Sequence, residues 1–327
     1  MHKQLAVFAL ALIVALAALP AGAQERLFAT DYAFVEPRPE PDGRYAGPPR
    51  GEGEGSDIVE LDPATGSELN RFAAPVSFFS GPEGLAFDGT SLWFYSAPLG
   101  RGPEGVQAGQ LYRLNPDTGA VLQSWQMTVS LDYDALGVLN GLVYLLRFPA
   151  GELHVFDPQT GTVIQQLDLF AANPAFPGQF VGGLSGFPSE GVLLVTSETF
   201  VGDPEAGEGG IGDLLYEIHQ LNPATGAIVD TFPAGLDFNA GLAAVDGRIY
   251  AGRLDSPVVL VFATDGTIVD TLTLSHPVSA LGGDGGTAPG PGPSVLEIPT
   301  ASGVGLAALA ALLAGAGALS LRRRARI

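Results

Sequence analysis

The chain has 327 residues, 46% hydrophobic and only 15% charged, and no cysteine. That suffices for a packed core and excludes disulfides, a thiolate nucleophile and cysteine-ligated metal. Fifteen Lys and Arg against 35 Asp and Glu give a formal net charge of -20, which speaks against a nucleic-acid partner and makes cations the more natural small ligands.

Met1-His2-Lys3 open the chain, an apolar run extends from Leu5 to Leu19, and Ala21-Gly22-Ala23 follow Pro20. A short apolar run closed by small residues is the pattern of a secretory signal peptide, so residues 1–23 are expected to be removed and the mature chain to start near Gln24. A membrane-spanning helix would need about 20 apolar residues.

The middle of the chain repeats itself. Asp62-Pro63-Ala64-Thr65-Gly66 recurs as Asn115 to Gly119, Asp157 to Gly161 and Asn222 to Gly226, with a degraded copy at Ala263-Thr264-Asp265-Gly266. Each copy lies between two short apolar runs, which predicts a hairpin: Pro suits the first turn position, Gly supplies a positive φ, and Asp or Asn bonds the turn backbone. A second phrase precedes each hairpin, as in Gly84-Leu85-Ala86-Phe87-Asp88-Gly89 before Leu92 to Tyr95, so each unit holds four strands. The interval is near or above the roughly 40-residue period of a propeller blade.

The first unit, beginning at Leu27, lacks its opening strand, and Pro277 to Gly285 copies Pro82 to Gly89. The last strand is therefore expected to complete the first blade and close the ring. The reading is all-β: a five-bladed β-propeller over residues 25–285, or six blades if a long loop hides strands, with Trp93 and Trp125 filling the interfaces between blades.

A Gly/Pro spacer over 286–296 leads to the C-terminal segment 297–327. Within it Gly303 to Leu321 is uncharged and about long enough to span a bilayer, and Arg322, Arg323, Arg324 and Arg326 follow, marking the cytoplasmic side. A single transmembrane helix at 303–321 and an exported domain agree in topology.

Ile298-Pro299-Thr300, then an apolar helix, then an arginine cluster resembles the IPTL-CTERM sorting signal, a relative of the PEP-CTERM signals handled by exosortases in Gram-negative bacteria. The resemblance covers the last tenth of the chain. It implies processing near Ile298, Pro299 and Thr300 by an exosortase-like enzyme and delivery to the cell envelope or surface, against the alternative of a permanent single-pass anchor. The repeat phrases of the middle resemble the five-bladed propellers of the glutaminyl-cyclase and quinoprotein-like groups, a likeness of scaffold only.

Strand parity puts the long segments Val35 to Asp57, Pro98 to Gln110 and Glu198 to Asp213 on one rim, opposite the Asp-Pro-x-Thr-Gly turns. Glu52, Glu54, Asp57, Asp203, Glu205, Glu208 and Asp213 make these segments acidic. The same face receives the start of each innermost strand, so Glu83, Asp134, Asn239 and Ser279 are candidates for a cation or ligand site at the channel mouth, with calcium as the cation. His154 and His219 occupy equivalent positions on third strands of different blades and are expected to pack rather than pair; His276 has no evident partner.

No nucleophile elbow, zinc-protease helix or phosphate loop is present. That favours a non-catalytic module binding a surface protein or glycan. The alternative is a secreted propeller enzyme, a cyclotransferase or calcium-dependent hydrolase, using the carboxylates Glu83 and Asp134 as acid and base.

Overall fold

The structure is a computed structural model that describes residues 25–31, 57–76, 84–96, 101–102, 105–106, 109–127, 133–148, 150–201, 213–234, 241–253 and 256–283. All belong to one unit, Met1–Ala288; the second unit, Pro289–Ile327, lies outside the described residues. So do the predicted signal peptide, the spacer, the sorting motif, the apolar stretch 303–321 and the arginine cluster. Among the described residues no helix is long and apolar enough to cross a membrane.

Five four-stranded antiparallel sheets form the ring. Blade 2 comprises β4 (Leu85–Phe87), β5 (Leu92–Ser96), β8 (Gln110–Leu114) and β9 (Val121–Gln126). Blade 3 comprises β10 (Ala135–Leu139), β11 (Leu142–Arg147), β12 (Glu152–Asp157) and β13 (Thr162–Asp168). Blade 4 comprises β14 (Gln179–Phe187), β15 (Val192–Val201), β16 (Asp213–Leu221) and β17 (Ile228–Pro233). Blade 5 comprises β18 (Leu242–Val245), β19 (Arg248–Arg253), β20 (Ser256–Phe262) and β21 (Ile268–Thr273).

Blade 1 takes β1 (Leu27–Asp31), β2 (Asp57–Leu61) and β3 (Glu68–Ala73) from the start of the ring, and β22 (Val278–Gly283) from its end. Leu27 pairs with Gly283 and Ala29 with Leu281, so the ring closes as expected. Five apolar clusters, one per blade interface, hold it. Closure is visible in the cluster that joins Leu27, Val59 and Leu281 of blade 1 to Val245, Tyr250 and Val261 of blade 5.

The repeated turn serves two purposes. Its Asp or Asn accepts bonds from the turn backbone, as Asp62 Oδ1 does from Ala64 N at 2.8 Å and Asn115 Oδ1 from Asp117 N at 2.9 Å. Its Gly closes the loop, Gly119 N donating to Asn115 O at 2.9 Å with φ +69. That Gly also lies against the outermost strand of the preceding blade: Gly119 on Phe72, Gly266 on Phe232. Trp93 and Trp125 stack at 5.6 Å, and Trp125 meets Phe156 of blade 3 edge-on at 5.5 Å, filling that interface as expected.

Near the axis the innermost strands approach closely. Gly282 lies on the Ala86 backbone and Gly186 on the Val138 carbonyl. Ser185 Oγ accepts from Ala244 N of the next blade at 3.2 Å and donates to Gly186 O, satisfying a buried edge N–H that the ladder leaves unpaired.

Three local readings change. The stretch expected as a loop from Glu198 belongs partly to β15, which runs to Val201, and β14 starts at Gln179 with an irregularity between Val181 and Leu184. The segment Pro98 to Gln110 carries a two-stranded ribbon, β6 (Arg101–Gly102) with β7 (Gly105–Val106). A four-residue helix, α1 (Leu169–Ala172), links blades 3 and 4; Asp168 caps it, accepting from Ala171 N at 2.9 Å.

Candidate functional site

Strand direction gives the ring two unlike faces. The Asp-Pro-x-Thr-Gly turns and the tight turns between first and second strands share one, here the turn face. All connections from second to third strands, and all connections between blades, share the other, the loop face. The chain enters β1 at Leu27 and leaves β22 at Gly283, paired side by side on the turn face.

Of the four residues expected at the channel mouth, Glu83 and Asn239 lie outside the described residues, as does the side chain of Ser279. Asp134 is described. Its N donates to Leu146 O at 2.9 Å, and its Oδ2 accepts from Phe148 N at 2.6 Å. One oxygen is thus engaged in holding the start of the β11–β12 connection; of the four candidate side chains, that of Asp134 is the one described. Among the described residues, no group of three or more His, Asp or Glu side chains could hold a metal ion.

Two buried histidines with polar partners lie on third strands. His154 on β12 shares a 2.7 Å hydrogen bond between Nδ1 and Tyr133 Oη, and its Nε2 lies 3.8 Å from Glu152 Oε2. Glu152 in turn pairs with Arg147 at 2.9 Å. Burial lowers the pKa of His154 against the opposing pull of Glu152, and it pushes Tyr133 up to about 12. His219 on β16 lies 2.7 Å from Ser197 Oγ through Nε2 and 2.7 Å from Thr231 Oγ1 through Nδ1. Burial pulls it down to about 4, so it is neutral at pH 7.

The two histidines face different interfaces. His154 meets the edge of Tyr133 in the cluster between blades 2 and 3, and His219 meets Phe176 and Phe180 between blades 3 and 4. They form no pair. Ser197 against His219 has the spacing of a nucleophile and its base, yet Ser197 is 0% and His219 2% exposed. With no route for a substrate, the contact satisfies polar groups inside an interface.

Sequence reading missed the carboxylate two residues before each histidine, Glu152 and Glu217, the latter 3.9 Å from His219 Nε2. The signal was there as Glu-Leu-His and Glu-Ile-His at equivalent repeat positions. It missed Ser197 and Thr231 as partners, which only the strand register brings beside His219. His276 lines a shallow depression with Glu68, Arg71 and Leu274, where its charge helps lower the Glu68 carboxyl, an effect led by the hydrogen bond from Arg71.

On the turn face Arg26 clasps blades 1 and 2. Its Nε and Nη2 donate to the two Glu60 oxygens at 2.7 Å each, Nη1 donates to Asp117 Oδ1 at 2.8 Å, and Nη2 also donates to Pro116 O at 3.2 Å. The guanidinium sits 4.9 Å from the centre of the Phe28 ring.

No protein-family model matches the sequence, and no curated protein does. Among solved structures the chain is similar to glutaminyl cyclase of Myxococcus xanthus, with 18% identity, 59% of this chain and 71% of that one covered, and a TM-score of 0.41. It is similar to a chain of the nidogen/laminin complex, with 14% identity, 80% and 98% covered, and a TM-score of 0.42. A Bacteroides caccae protein of unknown function gives 13%, 79% and 98%, and 0.43. Likenesses at this level carry no argument; the ring is established by its own strand pairing.

Proposed function

We propose that the chain is an exported β-propeller, anchored in the envelope or at the surface, that works as an interaction module and binds a surface protein or glycan through its loop face. One observation carries this reading. Both ends of the ring, Leu27 and Gly283, lie on the turn face, while all the connections long enough to carry recognition start and finish on the other. Long connections on a rigid scaffold are where binding commonly resides. Calcium held by Glu83, Asp134, Asn239 and Ser279 is the cation this reading assigns to the loop face, and an exosortase-like enzyme is the partner for the C-terminal signal.

The test displays the chain on cells and probes them with a glycan library and surface crosslinking. Replacing 35–56, 98–108 and 202–212 by short Gly/Ser linkers is expected to abolish binding while the melting temperature stays within a few degrees. Turn-tip changes at Ala64 and Ala224 are expected to leave binding intact. Equal binding by the linker variant sinks the proposal. Millimolar calcium is expected to raise the melting temperature relative to chelator; no shift removes calcium from the reading.

A further inference from the structure

Blades 3 and 4 carry the same Glu-x-His step on their third strands, Glu152-Leu153-His154 in β12 and Glu217-Ile218-His219 in β16. In both the imidazole is buried, and its Nε2 lies 3.8 Å and 3.9 Å from the respective glutamate Oε2. The residue that the second strand sets opposite the glutamate differs: Ser197 in blade 4, Arg147 in blade 3. Ser197 Oγ meets His219 Nε2 and Thr231 Oγ1 meets Nδ1, so that ring is satisfied. Arg147 turns instead to the carboxylate, donating from Nη1 to Glu152 Oε2 at 2.9 Å. His154 keeps Tyr133 Oη on Nδ1, while its Nε2 is buried with no hydrogen-bond partner among the described residues. Leaving a buried polar atom in that state costs about 1–3 kcal/mol. The oxygen nearest to it, Glu152 Oε2, is the one that Arg147 holds.

We propose that His154, Glu152 and Arg147 form a proton-operated latch at the loop-face end of the interface between blades 2 and 3. When the imidazole takes up a proton, Glu152 moves inward onto Nε2 and the Arg147 guanidinium is released at the start of the β11–β12 connection. The latch is a property of the ring itself, whatever the loop face binds.

Access to water sets the direction of the exchange. The Arg147 and Glu152 side chains are 34% and 28% exposed, so a released guanidinium is hydrated and the pair it leaves is of small worth. The His154 side chain is 6% exposed, so a positive imidazole must be met by a carboxylate. In that form Nδ1–H donates to Tyr133 Oη, and Nε2–H gains the acceptor it lacked.

The charged and titratable neighbours come from four elements. Tyr133 precedes β10, Arg147 ends β11 and Glu152 opens β12. Across the interface Tyr95 of β5 meets Tyr133 edge-on at 5.3 Å. On β13 the uncharged Gln166 pairs with His154, and Asp168, opposite Glu152, caps α1. Burial lowers the His154 pKa from the ordinary 6.5, Glu152 pulling against it and Arg147 adding to it. The latch is therefore shut at pH 7 and opens in acid, giving the loop face a guanidinium suited to carboxylate, sulfate or phosphate groups on a partner.

The test follows the full-length chain, isotopically labelled at His and Arg, by NMR from about pH 7.5 to about pH 4.5. His154 is expected to titrate below 6.5, with the Arg147 guanidinium signal shifting at the same midpoint. His219, with both nitrogens satisfied, is the internal control and should stay largely neutral. Glu152→Gln is expected to lower the His154 midpoint by about one pH unit, a tenfold loss of proton affinity. In His154→Gln the Arg147 signal should stay flat, which separates the latch from protonation of Glu152 itself. An Arg147 signal indifferent to the His154 proton, or one that still responds in His154→Gln, overturns the proposal. So does an unmoved His154 midpoint in Glu152→Gln, or loss of the native spectrum before His154 is charged.

Discussion

The Phe72 ring occupies the space in which a Cβ on Gly119 would lie, so the turn of blade 2 is fitted onto the outermost strand of blade 1. The same Gly has φ +69, and two demands meet at one residue. Gly119→Ala is expected to cost about 2–4 kcal/mol in denaturant unfolding, the sum of left-handed backbone strain and overpacking. Gly89→Ala, at φ +85 with nothing near its Cβ, should cost about 1 kcal/mol. Equal losses would show that packing between blades adds nothing.

Arg26 is the chain's own clamp across blades 1 and 2. Arg26→Ala strands Glu60, whose side chain is largely sheltered, and is expected to destabilise by about 2–4 kcal/mol. Arg26→Lys should recover only part, since an ammonium cannot match the two-pronged contact with Glu60. A double-mutant cycle with Glu60→Gln measures the pair; a coupling near zero would assign the loss to packing on Phe28.

Stability should fall in mild acid through His219. An unfolded histidine titrates near 6.5 and the folded one near 4. Between those values the unfolded chain takes up a proton that the native state refuses. The contribution is complete above pH 6.5, and about 3 kcal/mol of it is lost as pH falls to 4. His154, also lowered by burial, adds to the loss in the same direction. In His219→Gln the slope of unfolding free energy against pH should flatten across that window; an unchanged slope would clear this residue.

Removing the closing strand should be severe. A chain ending at Pro277 loses β22, leaves the cluster around Leu27, Val245 and Leu281 open, and exposes the inner edge of β1. Loss of a cooperative thermal transition is expected, with aggregation. A normal transition would mean that blade 1 stands with three strands.

The ring was legible because the same residues meet a local and a distant requirement. Asp, Pro and Gly are what the turn backbone needs, and that Gly is also what the neighbouring blade needs, so the phrase recurs wherever a blade occurs. The helix α1 was not legible, since four residues held by the Asp168 cap are too few for a periodic pattern. Nor were the hydroxyl partners of His219, because Ser197 and Thr231 reach it only through strand register. At the candidate mouth, nothing in the sequence around Asp134 announces that one carboxylate oxygen is taken by the Phe148 N–H.

The pairing of Leu27 with Gly283 also sets an order of events. The last strand to emerge from whatever makes or moves the chain is the first strand of blade 1, so the ring cannot shut until nearly the whole domain is available. Contacts that distant form slowly. Until then blades 2 to 5 can assemble as an open crescent, and a chain halted short of residue 278 is held at that stage, with the edge meant for its final strand left uncovered.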